Sequence, residues 1–196
     1  QGKSSTANAT HALLRLGGRR AHLGGNIGAS LLPALPDIGT EDFVVLELSS
    51  YQLEALSGGA GAARAEAVAV VNILPDHLER HGTLAAYAAA KQRILTLLKP
   101  GGHALLPLDD ERFASWDVAG RKLGFATRDT GQGLFVRAGE FRLDDEVLGR
   151  VDDLRLPGDF QRANALVALG LARLRRRAAT QLARALPGIR GLEHRL

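Results

Sequence analysis

The sequence predicts an α/β protein: a mainly parallel sheet flanked by helices, with a small antiparallel β annex. Three observations carry this. Buried-strand patterns alternate with helical ones in the first half, as in FVVLELSS (43–50), AVAVVNI (67–73) and TLAAYAAAKQRILTLL (83–98). Such alternation implies parallel strands joined by right-handed crossovers. Between His103 and Leu156 the pattern changes to short alternating stretches, which suit small strands, some antiparallel. Finally, 196 residues with 45% apolar side chains suffice for one core-forming domain, or for one large domain with a small annex.

In chain order, Lys3 to Leu16 reads as a helix that Gly17-Gly18 ends. The run 43–50 is rich in β-branched residues and reads as a buried strand ending at Glu47 or Leu48. SGGAGAARA (57–65) reads as a loop, and 67–73 as a second buried strand that Pro75 stops. Thr83 is placed to cap the helix 83–98, and Pro100-Gly101-Gly102 to end it. KLGFAT, GLFVRAG and EFRLD are the short strands of the annex. Two further helices follow, over 159–174 and 179–186, the second ended by Pro187-Gly188.

Composition excludes several classes. No apolar run approaches the ~18 residues of a membrane span, and the first residues do not form a signal peptide. Cysteine is absent, which excludes disulfides and thiolate-bound metals and fits a cytoplasmic protein. The net charge of +4 raises a nucleic-acid binder. Yet the excess is arginine spread along an Ala-, Gly- and Leu-rich chain. Its one dense cluster, Arg173 with 175–177, reads as a solvated helix end without interleaved aromatics. The expectation is therefore no nucleic acid and no membrane.

Chemistry concentrates at a few places. Gly2-Lys3-Ser4 is the second half of the phosphate-loop pattern G-x-x-x-x-G-K-[ST], and only Gln1 precedes it, so the chain is expected to begin inside that loop. Helix-start N–H groups hold phosphate oxygens, the lysine reaches the β/γ-phosphates, and the serine hydroxyl binds Mg²⁺. An acid at a strand end must share that metal, and Glu47 is placed for it. The stretch NILPDHLERHG (72–82) follows the second strand, where α/β sheets line their ligand crevice, and offers Asp76, His77 and His81 as ligands or bases. The chain has 21 arginines but four lysines, so Lys3 and Lys91 stand out; the competing reading of Lys91 is a surface lysine with its stem laid on the helix.

Taken together, GKSST, GGNIG (24–28), ELSSYQLE (47–54), NILPDHLERHGTLAAYAAAKQRI (72–94), NALVALGLA (164–172) and GLEHRL (191–196) resemble, in this order, the Mur ligases. That resemblance implies a central ATP-binding domain over 1–196, with N-terminal UDP-binding and C-terminal domains outside this chain. It implies ATP and Mg²⁺, an acyl phosphate, and a monomeric, cytoplasmic enzyme. GGNIG and ELSSYQLE point to the substrates UDP-N-acetylmuramoyl-L-alanine and D-glutamate. By resemblance, Gly2, Lys3, Ser4 and Ser5 hold the ATP phosphates, and Ser4 and Glu47 the first Mg²⁺. His77 and a carbamylated Lys91 serve the second Mg²⁺, with Lys3, His77 and Lys91 as the catalytic set. Asn26, Ser49 and Gln52 face the muramoyl substrate. Gln161 and Asn164 contact the adenine, and Arg195 reaches ATP from the hinge.

One departure stands out: where the family has Gly-x-His-Asn, this chain has Gly158-Asp159-Phe160-Gln161, which keeps an amide but loses an imidazole. Other amide ligases of the superfamily, such as the third-residue Mur ligase or folylpolyglutamate synthase, are the alternative enzymes. A phosphate-loop binding module without ligation is the alternative of another class.

Overall fold

The computed structural model describes residues 2–28, 30–56, 64–75, 78–175 and 177–190. The chain divides into two compact units. One spans Leu48–Phe125; the other joins Gly2–Glu47 to the residues from Ala126 onward.

In the second of these units, helix α1 (Lys3–Leu14) is followed by a 3-10 turn at Leu16–Gly18, close to the expected stop. Strand β1 (Ala21–Gly25) pairs in parallel with β2 (Phe43–Glu47), so that Gly25 stands opposite Glu47. β1 escaped the sequence reading because AHLGG has two glycines and little β-branching, and only its pairing with β2 makes it a strand. After Ala126 the same unit holds an antiparallel meander of β6 (Leu134–Arg137), β7 (Glu140–Leu143) and β8 (Glu146–Arg150), so the antiparallel strands of the expected annex are confined to 134–150, while KLGFAT falls instead in a strand with a parallel partner. Helix α5 (Asp159–Leu174) packs on α1 and on β6, while α6 (Ala179–Ala185) packs on β8. Gly170 permits the contact between α5 and β6, because a Cβ there would lie 2.3 Å from Leu134 Cδ1. Leu134, Phe135, Phe141, Leu148, Leu166 and Leu182 are fully enclosed in this core.

The Leu48–Phe125 unit contains helix α2 (Ser50–Leu56), strand β3 (Ala65–Ala69), the helical turn α3 (Leu78–His81) and helix α4 (Leu84–Gln92). Strand β4 (Leu98–Pro107) pairs in parallel with β3 and with β5 (Arg121–Ala126). Thr83 caps α4 as expected, its Oγ1 accepting the Ala86 N–H at 3.1 Å. The expected helix stop at Pro100-Gly101-Gly102 is corrected: α4 ends at Gln92, a 3-10 turn runs over Arg93–Leu97, and the three residues lie within β4. They form a bulge. The register with β3 jumps between Ala65 and Ala67, Gly101 takes φ 75°, and Pro100 has no N–H for the ladder. The core of this unit gathers Val68, Ile73, Tyr87, Leu106, Phe113 and Trp116.

Candidate functional site

Gly2 precedes α1 with φ 81° and ψ −13°, a left-handed conformation that glycine adopts without strain. A Cβ there would also lie 2.4 Å from Asn164 Oδ1. The chain thus turns tightly into α1, and Gly2 before it offers no side chain to cap the N–H groups of the first turn. Lys3 and Ser5 are half-buried beside this turn, and Ser4 is 1% exposed. The Ser4 hydroxyl donates to Glu47 Oε2 at 2.7 Å. Glu47 ends β2 and is 4% exposed. Its other oxygen accepts a long contact from Asn26 Nδ2 at 3.4 Å, and its backbone carbonyl accepts the Asn26 N–H at 2.7 Å. Gly25 permits that approach, since a Cβ there would stand 2.1 Å from the Glu47 carbonyl oxygen.

Glu47 is therefore a buried carboxylate held by neutral donors, with no cationic side chain paired to it among the described residues. A buried charge is ordinarily paired with a cation or engaged with a metal. The structure brings Ser4, Glu47 and Asn26 together.

Asn164 lies on the buried face of α5, 5% exposed. Its Oδ1 accepts from the Thr6 hydroxyl at 3.2 Å, and its Nδ2 donates to Gln161 Oε1 at 3.2 Å. The amide thus braces the start of α1 from α5. Thr6, 5% exposed, had no role in the sequence reading, although its place one turn after Gly2 was legible. Phe160 is 64% exposed.

In the other unit, Lys91 is 7% exposed, which overturns the reading of a surface lysine. Its Nζ donates to the Asn72 carbonyl at 2.9 Å and sits 4.6 Å from the centroid of the Tyr87 ring. Ser49 and Gln52 are engaged with each other. The Ser49 N–H donates to Gln52 Oε1 at 2.9 Å, and the Gln52 N–H donates to Ser49 Oγ at 3.2 Å. This is the reciprocal capping box of a helix start, and the spacing Ser-x-x-Gln signals it in the sequence. The family resemblance assigns both residues to the substrate and does not give this local role.

Asp76, His77 and Arg195 lie outside the described residues. Among the described residues no three His, Asp or Glu side chains form a ready-made cation cage, and no helix is long and apolar enough to cross a membrane.

A left-handed glycine feeding a helix start, whose buried serine reaches a strand-end carboxylate, is an arrangement of the kind that receives phosphate groups in α/β proteins. The Mur ligase middle domain matches residues 1–172, and the chain belongs to that family. Among its relatives, the UDP-N-acetylmuramoylalanine–D-glutamate ligase of Pelotomaculum thermopropionicum is 36% identical over 202 residues, covering 100% of this chain and 44% of that protein. The chain thus spans less than half the length of this relative. Solved structures share the fold. A UDP-N-acetylmuramoyl-L-alanyl-D-glutamate–2,6-diaminopimelate ligase superposes with TM-score 0.76 at 21% identity, over 100% of this chain and 46% of that one. The MurF ligase of Thermotoga maritima, in complex with ADP, superposes with TM-score 0.66 at 18% identity, over 93% of this chain and 46% of that one.

Proposed function

We propose that the protein containing this chain is an ATP-dependent ligase that joins D-glutamate to UDP-N-acetylmuramoyl-L-alanine. The observation that carries the reading is the buried Ser4–Glu47 contact at the start of α1, in a chain whose relative of that name is 36% identical over its whole length. The ADP bound by the Thermotoga ligase supports ATP as the nucleotide.

The chemistry follows from charge. A substrate carboxylate oxygen attacks the γ-phosphorus of ATP, ADP leaves, and an acyl phosphate results. The amine of D-glutamate then attacks the acyl carbon, phosphate leaves, and the nitrogen gives up a proton to form the amide. Such chemistry is mainly positioning and charge neutralisation. The N–H groups that open α1 and the ammonium of Lys3 receive the phosphates, and Gly2 lets the backbone approach them. Ser5 belongs to the same phosphate cradle.

Mg²⁺ fits the residues present. The Ser4 hydroxyl and the Glu47 carboxylate are hard oxygen donors, and Mg²⁺ is usually held by one or two carboxylates plus phosphates and water. When bound, it supplies positive charge to the phosphate oxygens as they accumulate negative charge. A second ion would be held by His77 and by Lys91 as its carbamate. The Asn72 contact is compatible with that modification, because a carbamate nitrogen keeps one N–H to donate.

Asn26, Ser49 and Gln52 are assigned to the muramoyl substrate, Gln161 and Asn164 to the adenine edge, and Arg195 to ATP. The protein acts in the cytoplasm as a monomer, without nucleic acid or membrane. Phosphate release from ATP·Mg²⁺, measured with the muramoyl substrate and a panel of amino acids, tests the reading. Release that depends on D-glutamate is expected. Release with another amino acid instead shifts the assignment to a sister ligase, and ATP binding without release replaces it with a non-catalytic module.

A further inference from the structure

We propose, resting on the ligase reading above, that His81 is a positioning residue that locks α2, which carries Gln52, to α4, which carries Lys91. The His81 side chain is 3% exposed. Both ring nitrogens and two aromatic contacts tie it to these two helices. Nε2 lies 3.0 Å from Ser50 Oγ, and Nδ1 lies 3.5 Å from Glu54 Oε1, both on α2. Its ring stacks on Tyr51 of α2 at 5.8 Å and 17°, and meets Tyr87 of α4 at 5.2 Å and 45°. The far side of the connection is the Tyr87 ring, which stands 4.6 Å from Lys91 Nζ.

The order of contacts sets the roles. Glu54 is a carboxylate, so the edge facing it is the N–H edge, Nδ1. At 3.5 Å this is electrostatic attraction rather than a short hydrogen bond. Nε2 then accepts the Ser50 O–H, and the ring cannot rotate without losing both contacts. Arg80 holds the same assembly from outside, with its guanidinium 4.4 Å from the Tyr51 centroid and 3.4 Å from Glu54 Oε2. A hydrophobic residue would fill this volume. What the imidazole adds is orientation: α2 fixes the ring, the ring fixes Tyr87, and Tyr87 covers the amine of Lys91. The register of the α2 helix start and the placement of Lys91 are then one variable.

The test uses the full-length protein with His81→Phe, which keeps a ring but removes both polar edges. Ser50→Ala removes one partner, and His81→Gln restores an amide that reaches hydrogen-bond partners. The first readout needs no substrate. It is the rate at which trinitrobenzenesulfonate modifies Lys91 in bicarbonate-free buffer, located by peptide mass mapping. Coupled neighbours depart from additivity, so the expected results are a rise of about tenfold in His81→Phe, about threefold in Ser50→Ala, and no further rise in the double variant. His81→Gln is expected to return most of the protection.

The second readout is the split between Michaelis constants. A rise of about tenfold in KM for the muramoyl substrate is expected, with KM for ATP within about twofold of wild type. Unchanged Lys91 modification, additive effects, or equal changes in both constants overturn the proposal. If His81→Phe fails to fold, Ser50→Ala and His81→Gln decide by the same measurements. If the wild-type protein ligates nothing, the ligase reading fails, while the modification rates still decide whether His81 couples the two helices.

Discussion

At the scale of single residues, burial separates function from decoration. Glu47 is one acid among many, but it is 4% exposed and accepts from Ser4 and Asn26. Replacing it by glutamine keeps the shape and one acceptor while deleting the charge. Glu47→Gln is expected to lower Mg²⁺-dependent phosphate release by about 10²-fold or more, as when one charge-stabilising group is removed from an active site. Its melting temperature is expected to stay within about 4 °C of wild type. Undiminished release would remove Glu47 from the mechanism. Gly2 makes a second, independent point. Gly2→Ala combines left-handed strain of about 1–2 kcal/mol with the contact 2.4 Å from Asn164 Oδ1. Urea denaturation is expected to show that loss and more. Adding Asn164→Ala should recover the contact part and leave the strain. A Gly2→Ala protein as stable as wild type would mean that the turn into α1 is not the one described.

Elements show where local sequence decides. Helix α2 starts because Ser49 and Gln52 satisfy each other's backbone N–H groups, and Leu53 N–H returns to the Ser49 carbonyl at 3.1 Å. Ser49→Ala is expected to cost about 1 kcal/mol of stability, the ordinary value of a lost cap. If Ser49 also meets the muramoyl substrate, KM for that substrate rises by more than the stability loss explains. A change in KM with no loss of stability would make Ser49 a contact and not a cap. Helix α4 makes the converse point. Its capping threonine was legible, but its end was not, because Pro100-Gly101-Gly102 is used as a bulge in β4. A Pro-Gly-Gly signal says that the backbone must bend; whether it ends a helix or interrupts a strand depends on which neighbour pairs with it.

On the scale of the whole molecule, acid is expected to weaken the fold in two stages. His103 on β4 has its pKa lowered from 6.5, chiefly by burial and then by the charge of Arg121. Below the ordinary histidine value the unfolded chain takes up a proton that the folded chain refuses, so stability falls as pH drops through that window. Asp110 is lowered from 3.8, first by its hydrogen bond with Arg112, and Asp129 likewise by Arg137. Their contribution is present above 3.8 and is lost as pH falls through their folded values. Both stages therefore have the same sign. Melting temperature is expected to fall as pH drops below the ordinary histidine value of 6.5, and this upper stage is expected to shrink in His103→Gln. An identical fall in the variant would assign it to another group.

Fold class, most helices and the strand ending at Glu47 were legible in the sequence, as was the pattern that makes Gly2-Lys3-Ser4 and Glu47 candidates for one site. Each rests on short-range chemistry: periodicity for α5, a cap for α4, an apolar run ending in an acid for β2. Such signals act within a few residues and leave a local trace. What only the tertiary structure decided depends on groups distant in the chain. AHLGG became strand β1 through its pairing with β2, and Lys91 became a buried amine through Asn72 and Tyr87. Asn164 became a brace for the helix start through Thr6, 158 residues away. His81 drew its partners from α2 and α4. A side chain's type tells which bonds it can make, but its burial and its partners are set by the packing of elements that the chain brings together from far apart, and no local pattern records that.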